Sequence, residues 1–373
     1  MKRQDIKKPQ RLVHFDLLRV ISMSFVVIGH VLQRYYVVGF TNTIGFAVFY
    51  SVSLALFFFS SAYFIKKAER LKDLLLYLLK LIVTYLVPAY LFTVLSIFLL
   101  PRFAEHDFGY WMNELYLRTD TFYWFFLTLF FINAFIAIAY YVVSLVIKKK
   151  NLVKDIFKAV LITIFLIAYA QVFMYMHNEP TLGPATLASN LFLYYAPISL
   201  VAFLLSIFAP YYKKGRYLAS FRVALFIIVL ACYLLALIYY PNWLEDLNGS
   251  FLEITYHMLG SLAGVLTYYL LAIYLVRFNP FKKLSRLAKY SGALYLVHVF
   301  LIRLLYEYMP RPSVFDNTTM LFISLWMIVF YFGSLGFTII LVEFPLTNLL
   351  LFGDLKPLIK LNKKAKRAKV AKQ

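Results

Sequence analysis

Residues 13–38 read VHFDLLRVISMSFVVIGHVLQRYYVV, and this stretch decides the fold. A helix of this length is ~39 Å long at ~1.5 Å per residue, enough to cross ~30 Å of hydrocarbon. Yet it carries Asp16, Arg19, His30 and Arg34 in or at the edges of an otherwise apolar run. Each ionisable side chain at membrane depth costs ~2.5–3.5 kcal/mol on insertion scales, so four in one helix require a protein or water-lined surface to face. Their spacing provides that surface. At ~100° per residue, Arg19 and His30 differ by only ~20° around the axis, with Asp16 and Arg34 within ~60° of them. One face of one helix therefore joins an inner cationic site to a histidine ~16 Å further out.

Composition places the rest of the chain in the same solvent. Of 373 residues, 63% are hydrophobic and only 15% charged, which no ordinary soluble domain matches. The apolar residues fall into ten blocks of spanning length, near 13–38, 44–65, 74–100, 122–147, 156–176, 188–210, 221–240, 251–276, 288–308 and 319–350. The expected fold is an all-α integral membrane bundle of about ten helices. A basic arm over 1–12 and a basic tail over 353–373 flank the membrane domain at 13–352.

The net charge of +21 is not a nucleic-acid signature. Basic residues cluster between the blocks in an alternating pattern: Lys66-Lys67, Lys148-Lys149-Lys150, Lys213-Lys214 and Lys282-Lys283, with eight more from Lys356 onward. The intervening loops hold few, chiefly Arg102, Arg118 and Arg311. This positive-inside asymmetry predicts a multi-pass protein with both termini cytoplasmic. The tail is read either as a contact with anionic lipid headgroups or as a solvated topology signal. No small-residue cleavage site follows the first block, so it is expected to remain as a helix. The loop at 101–121, with Glu105, His106, Asp107, Trp111 and Glu114, suits either the membrane interface or the stacking of a sugar.

The candidate chemistry centres on His30. A histidine can accept a hydroxyl proton near neutral pH, and an arginine can hold phosphate or an oxyanion without losing its charge. Asp16 stands three residues before Arg19 and can form an ion pair with it. Ser291, Tyr295 and His298 share one face of the ninth block, where His298 can line a tunnel, orient a group near His30 or simply pack. Glu253 and His257, at i and i+4 in the eighth block, form a second acid–base candidate. No Cys/His cluster has metal-ligand spacing, and neither a Gly-rich phosphate loop nor a nucleophile elbow is present.

These residues also form a recognisable series. Asp16-Leu17-Leu18-Arg19 followed by His30 resembles the first-helix motif of the acyltransferase-3 family of membrane acyltransferases. In the same order come Phe57-Phe58-Phe59-Ser60-Ser61-Ala62-Tyr63-Phe64-Ile65, Tyr85-Leu86-Val87-Pro88-Ala89-Tyr90, Tyr123-Trp124-Phe125-Phe126, and Tyr290 through His298 with its Ser…Tyr-Leu-x-His pattern. The layout is also similar to the intercellular-adhesion subgroup, tied to exopolysaccharide modification or export.

The resemblance implies movement of an acyl group, acetyl above all, from a cytoplasmic coenzyme A thioester to a hydroxyl of an extracytoplasmic glycan or lipid-linked sugar. It implies His30 and Arg19 as the essential pair and no permanently bound cofactor. Acetyl-CoA or another acyl-CoA is the donor substrate, and the setting is a bacterial plasma membrane with glycan-synthesis machinery as a partner. Arg34, Lys80, Trp124 and Tyr295 join His298, Glu253 and His257 as candidate substrate or donor contacts. Two departures stand out: Ala62 replaces the usual Gly, and Thr84 stands where the family often has Arg. Donor phosphates would then lean on Arg19, Lys66, Lys67, Arg70 and Lys80. The competing expectations are a polysaccharide exporter, which needs a wide polar groove, and an accessory subunit of a glycan synthase. The scarcity of polar residues in the fifth to seventh blocks favours a narrow tunnel.

Overall fold

The computed structural model describes residues 11–35, 44–99, 109–110, 123–147, 151–178, 184–212, 218–239, 251–308 and 317–352. The loop at 101–121 (apart from 109–110), the loop at 241–250, the basic loops at 148–150 and 213–217, and the tail lie outside them. All regular structure among the described residues is helical. The elements are α1 (Val13–Tyr35), α2 (Ile44–Ala62), α3 (Leu71–Leu81), α4 (Val87–Leu99), α5 (Trp124–Val146), α6 (Leu152–Asn178), α7 (Pro184–Tyr212), α8 (Leu218–Tyr239), α9 (Phe251–Leu275), α10 (Asn279–Leu284), α11 (Ser291–Tyr308), α12 (Asn317–Glu343) and α13 (Pro345–Phe352).

Nine of the described segments are long and apolar enough to cross a membrane. The remaining long helix, α6, has 27 residues, but its first turns carry Lys154, Asp155 and Lys158. Lys158 is buried there, its ammonium 5.4 Å from the Tyr140 ring centre.

The charged first helix lies at the centre of the bundle. α1 packs most extensively on α2, and also on α9, α11, α12 and the 3-10 turn Ser285–Tyr290. Its apolar residues Phe15, Leu17, Leu18, Met23, Val26, Val27 and Val31 are almost fully buried. The helices at the rim show the opposite pattern. α8 exposes Phe221, Ile227, Ile228 and Leu235, and α12 exposes Phe322, Leu325, Val329 and Phe332. Rows of large apolar side chains on the outer surface of such long apolar helices suit contact with lipid hydrocarbon.

Internal hydroxyls link the central helices where backbone groups cannot. Ser51 Oγ lies 2.9 Å from the Tyr233 hydroxyl, which donates to Val48 O at 3.2 Å. Ser261 donates to Ser51 O and meets the Tyr194 hydroxyl. Four helices, α2, α7, α8 and α9, are joined by this one chain. The close approach needs Gly264, where a Cβ would meet Val52 Cγ1 at 2.4 Å and Tyr233 Cε2 at 2.7 Å.

Two prolines shape the helices beyond what span length predicts. Pro88 has no N–H to donate and its ring crowds the carbonyl four residues earlier. The chain widens into a π turn over Ile82–Leu86, with the Val87 N–H reaching Ile82 O, so α3 and α4 continue as one rod. The last block, expected as one helix over 319–350, breaks instead. Pro345 disfavours helical geometry at Phe344, α12 ends at Glu343, and α13 restarts at Pro345.

Candidate active site

Two helices far apart in sequence bring two histidines together. His30 Nδ1 on α1 lies 3.0 Å from His298 Nε2 on α11, with the rings nearly parallel at 13° and their centres 5.2 Å apart. His298 is fully buried, and its Nδ1 lies 2.9 Å from Leu294 O. A carbonyl can only accept, so His298 Nδ1 carries the proton. A neutral His298 then offers the lone pair of Nε2, and His30 Nδ1 donates to it. That leaves the lone pair of His30 on Nε2, the form a proton acceptor requires.

Packing holds this arrangement. Tyr295, one turn before His298, presents its ring to the imidazole at 5.5 Å and 73°. Tyr295 is 1% exposed and lies against Phe125 at 4.7 Å and Phe126 at 5.3 Å. The aromatic run at the start of α5 therefore fixes the histidine pair from behind. Trp124, in the same run, turns instead toward Tyr195, 6.3 Å away.

A charged group, Arg303, completes the centre beside the two neutral histidines, and it is not among the residues the sequence pattern singled out. It is 6% exposed, with its guanidinium 5.8 Å from the centre of the Tyr123 ring. It lies within electrostatic reach of both His30 and Tyr295. The signal was available: an arginine in an apolar block, five residues after His298, invites the same insertion-cost argument applied to Arg19.

The end of the bundle that carries Arg19 holds a second polar group. Arg19 packs its guanidinium over Phe64, 5.3 Å from the ring centre, and acts electrostatically on Tyr85. The Tyr85 hydroxyl is 3.2 Å from Ser61 Oγ, which accepts from Asn133 Nδ2 at 3.0 Å. The π turn carries Tyr85 into this contact. Asp16 takes Arg11 as its partner rather than Arg19, and Arg11 also reaches Ser285 O at 3.3 Å. Lys66 and Arg70 both engage Asp73, at 3.0 and 2.8 Å, while Lys67 donates to Ser206 O at 2.6 Å. Lys80 is exposed on α3. At this end Lys66 and Arg70 share the Asp73 carboxylate, whereas Arg19 lies against the Phe64 ring.

The acyltransferase-3 family model, an acyltransferase domain, matches residues 12–343. The chain belongs to that family. It is a membrane acyltransferase, and the match covers both histidines, Arg19 and Arg303. No curated protein and no solved structure matches it.

Two further candidates of this membrane acyltransferase remain. Glu253 is half-buried near the start of α9, within electrostatic reach of the buried His257 one turn further on. Arg34 lies in the last turn of α1, and its side chain falls outside the described residues.

Proposed function

We propose that this acyltransferase moves an acyl group, most simply acetyl, from a cytoplasmic coenzyme A thioester to a hydroxyl of an extracytoplasmic glycan or cell-surface molecule, with His30 as general base. The observation that carries the reading is the 3.0 Å contact from His30 Nδ1 to a His298 already oriented by Leu294 O. A histidine held in one tautomer by a buried partner is a base prepared for one proton at one nitrogen.

The acceptor hydroxyl gives its proton to His30 Nε2 as its oxygen attacks the thioester carbonyl. The carbonyl oxygen becomes an oxyanion. Arg19 is ~16 Å along the helix from His30, too far to touch it. Arg303 is the guanidinium within electrostatic reach of His30, and we assign oxyanion stabilisation to it. The C–S bond then breaks, and the proton on His30 passes to the departing thiolate. Ester and free coenzyme A result, with atoms and charge balanced.

The inner group suits the donor. Arg19 has the charge and the fork geometry for phosphate, and it lies on the same face of α1 as His30. Counting α6 as a tenth crossing puts both termini in the cytoplasm of a bacterial plasma membrane, with Arg19 facing the compartment that holds acyl-CoA.

The test is acetyl transfer by protein reconstituted in vesicles, with labelled acetyl-CoA on one side and glycan acceptor on the other. Label should reach the acceptor only when acetyl-CoA is on the side of Lys66 and Lys67. Transfer from the opposite side alone would reject the orientation, and transport of glycan without esterification would reject the chemistry.

A further inference from the structure

Asn133 has a polar atom that the mechanism does not use. The residue is 1% exposed on α5, and its Nδ2 donates to Ser61 Oγ at 3.0 Å. Its Oδ1 is buried and, among the described residues, has no hydrogen-bond partner. Buried carbonyl oxygens without a partner are rare and unfavourable, and an orphan beside a proposed ligand path points to a group the ligand supplies.

The neighbouring hydroxyls define that group. Ser61 and Tyr85 are 3.2 Å apart and share one hydrogen bond, which uses one of their two O–H protons. Whichever hydroxyl donates, the other keeps a proton with no acceptor among the described residues. The Asn133–Ser61–Tyr85 chain thus presents one acceptor and one donor side by side. An amide in the ligand offers the complement, an N–H for Asn133 Oδ1 and a C=O for the hydroxyl. Arg19 borders the group at Tyr85, so an anion held by Arg19 and an amide held by this chain would belong to one extended molecule. The asparagine oxygen is sealed by its neighbours. The ligand reaches it by displacing a neighbour, and Ser61, in direct contact with Asn133, is itself half-exposed.

Resting on the donor reading above, we infer that Asn133, Ser61 and Tyr85 form a subsite that reads an amide of the pantetheine arm of the acyl-CoA donor. The subsite selects carriers that bear an amide near the thioester and discriminates against simple thioesters of equal reactivity.

The test compares three acetyl donors on the full chain in vesicles: acetyl-CoA, the acetyl thioester of N-acetylcysteamine, and the acetyl thioester of propanethiol. In Asn133→Leu, the preference for the two amide-bearing donors over the amide-free one should fall about tenfold, the loss of one well-placed hydrogen bond. An unchanged preference, or an equal loss with all three donors, overturns the inference and makes Asn133 structural. If Asn133→Leu does not accumulate, Ser61→Ala and Asn133→Ser decide the same ratio. A wild-type protein that transfers from acetyl-CoA while the variants keep its preference rejects the subsite alone. A wild-type protein that transfers from none of the three thioesters rejects the donor reading itself.

Discussion

Replacing His298 with alanine isolates the role of the second histidine. The structure gives His30 Nδ1 an acceptor in His298 Nε2, 3.0 Å away, and His298 is fully buried. Alanine removes that acceptor and leaves a buried N–H to find another. Such a loss costs ~1–3 kcal/mol, and each ~1.36 kcal/mol in the barrier is tenfold in rate. The turnover of His298→Ala should therefore fall about 5- to 150-fold, with the KM for acyl-CoA little changed, because the lost contact orients the base and does not bind the donor. His298→Gln places an amide oxygen near the former Nε2 and should recover much of the rate. The assay is acetyl transfer at saturating donor, normalised to folded protein, since the substitution also opens a hole in the core. Wild-type turnover in His298→Ala would refute the reasoning. So would a glutamine variant no better than alanine, which would reduce His298 to packing.

Three other outcomes follow from named contacts. Arg303→Ala should lose about 10²–10³-fold in turnover, the usual effect of removing an oxyanion donor, with Arg303→Lys intermediate; a variant with normal turnover would remove Arg303 from the chemistry. Gly264→Ala should destabilise the protein by ~1–3 kcal/mol, because its Cβ would sit 2.4 Å from Val52 Cγ1 and 2.7 Å from a tyrosine ring held by Ser51 and Val48 O; an unchanged melting temperature in detergent would contradict the packing. Single cysteines introduced after Cys232→Ala should react with an impermeant reagent from outside at 101–121 and 241–250 and not at 148–155, and the reverse pattern would invert the topology.

The helices were legible because lipid imposes a length on each apolar block, and α1, α2, α5, α7, α8 and α9 lie within a few residues of the expected spans. The break at Phe344 was missed because apolar length alone ignores Pro345. The polar face of α1 was also legible, since helical periodicity places Arg19 and His30 together. What one sequence does not contain is which neighbour that face meets. His30 and His298 are 268 residues apart, and their hydrogen bond depends on the register of α1 against α11. Asp16 shows the same limit at short range. Its spacing to Arg19 is right for an i,i+3 pair, yet Arg11, just before the helix, takes the carboxylate. Asn133 gave no sequence signal at all, because a single asparagine in an apolar block becomes informative only when its oxygen is found without a partner. Arg303 was readable by the cost of burying its charge and was simply outweighed by the motif around His298.

The central claim is that His30 Nε2 takes the acceptor's proton, and acetyl transfer by His30→Ala in vesicles, at wild-type abundance, measures it most directly. Loss of a general base typically costs ~10²–10⁴-fold, so the variant should insert, fold, still bind acyl-CoA and transfer almost nothing. Transfer within a few-fold of wild type would contradict the account and direct attention to Glu253 and His257 as the acid–base pair.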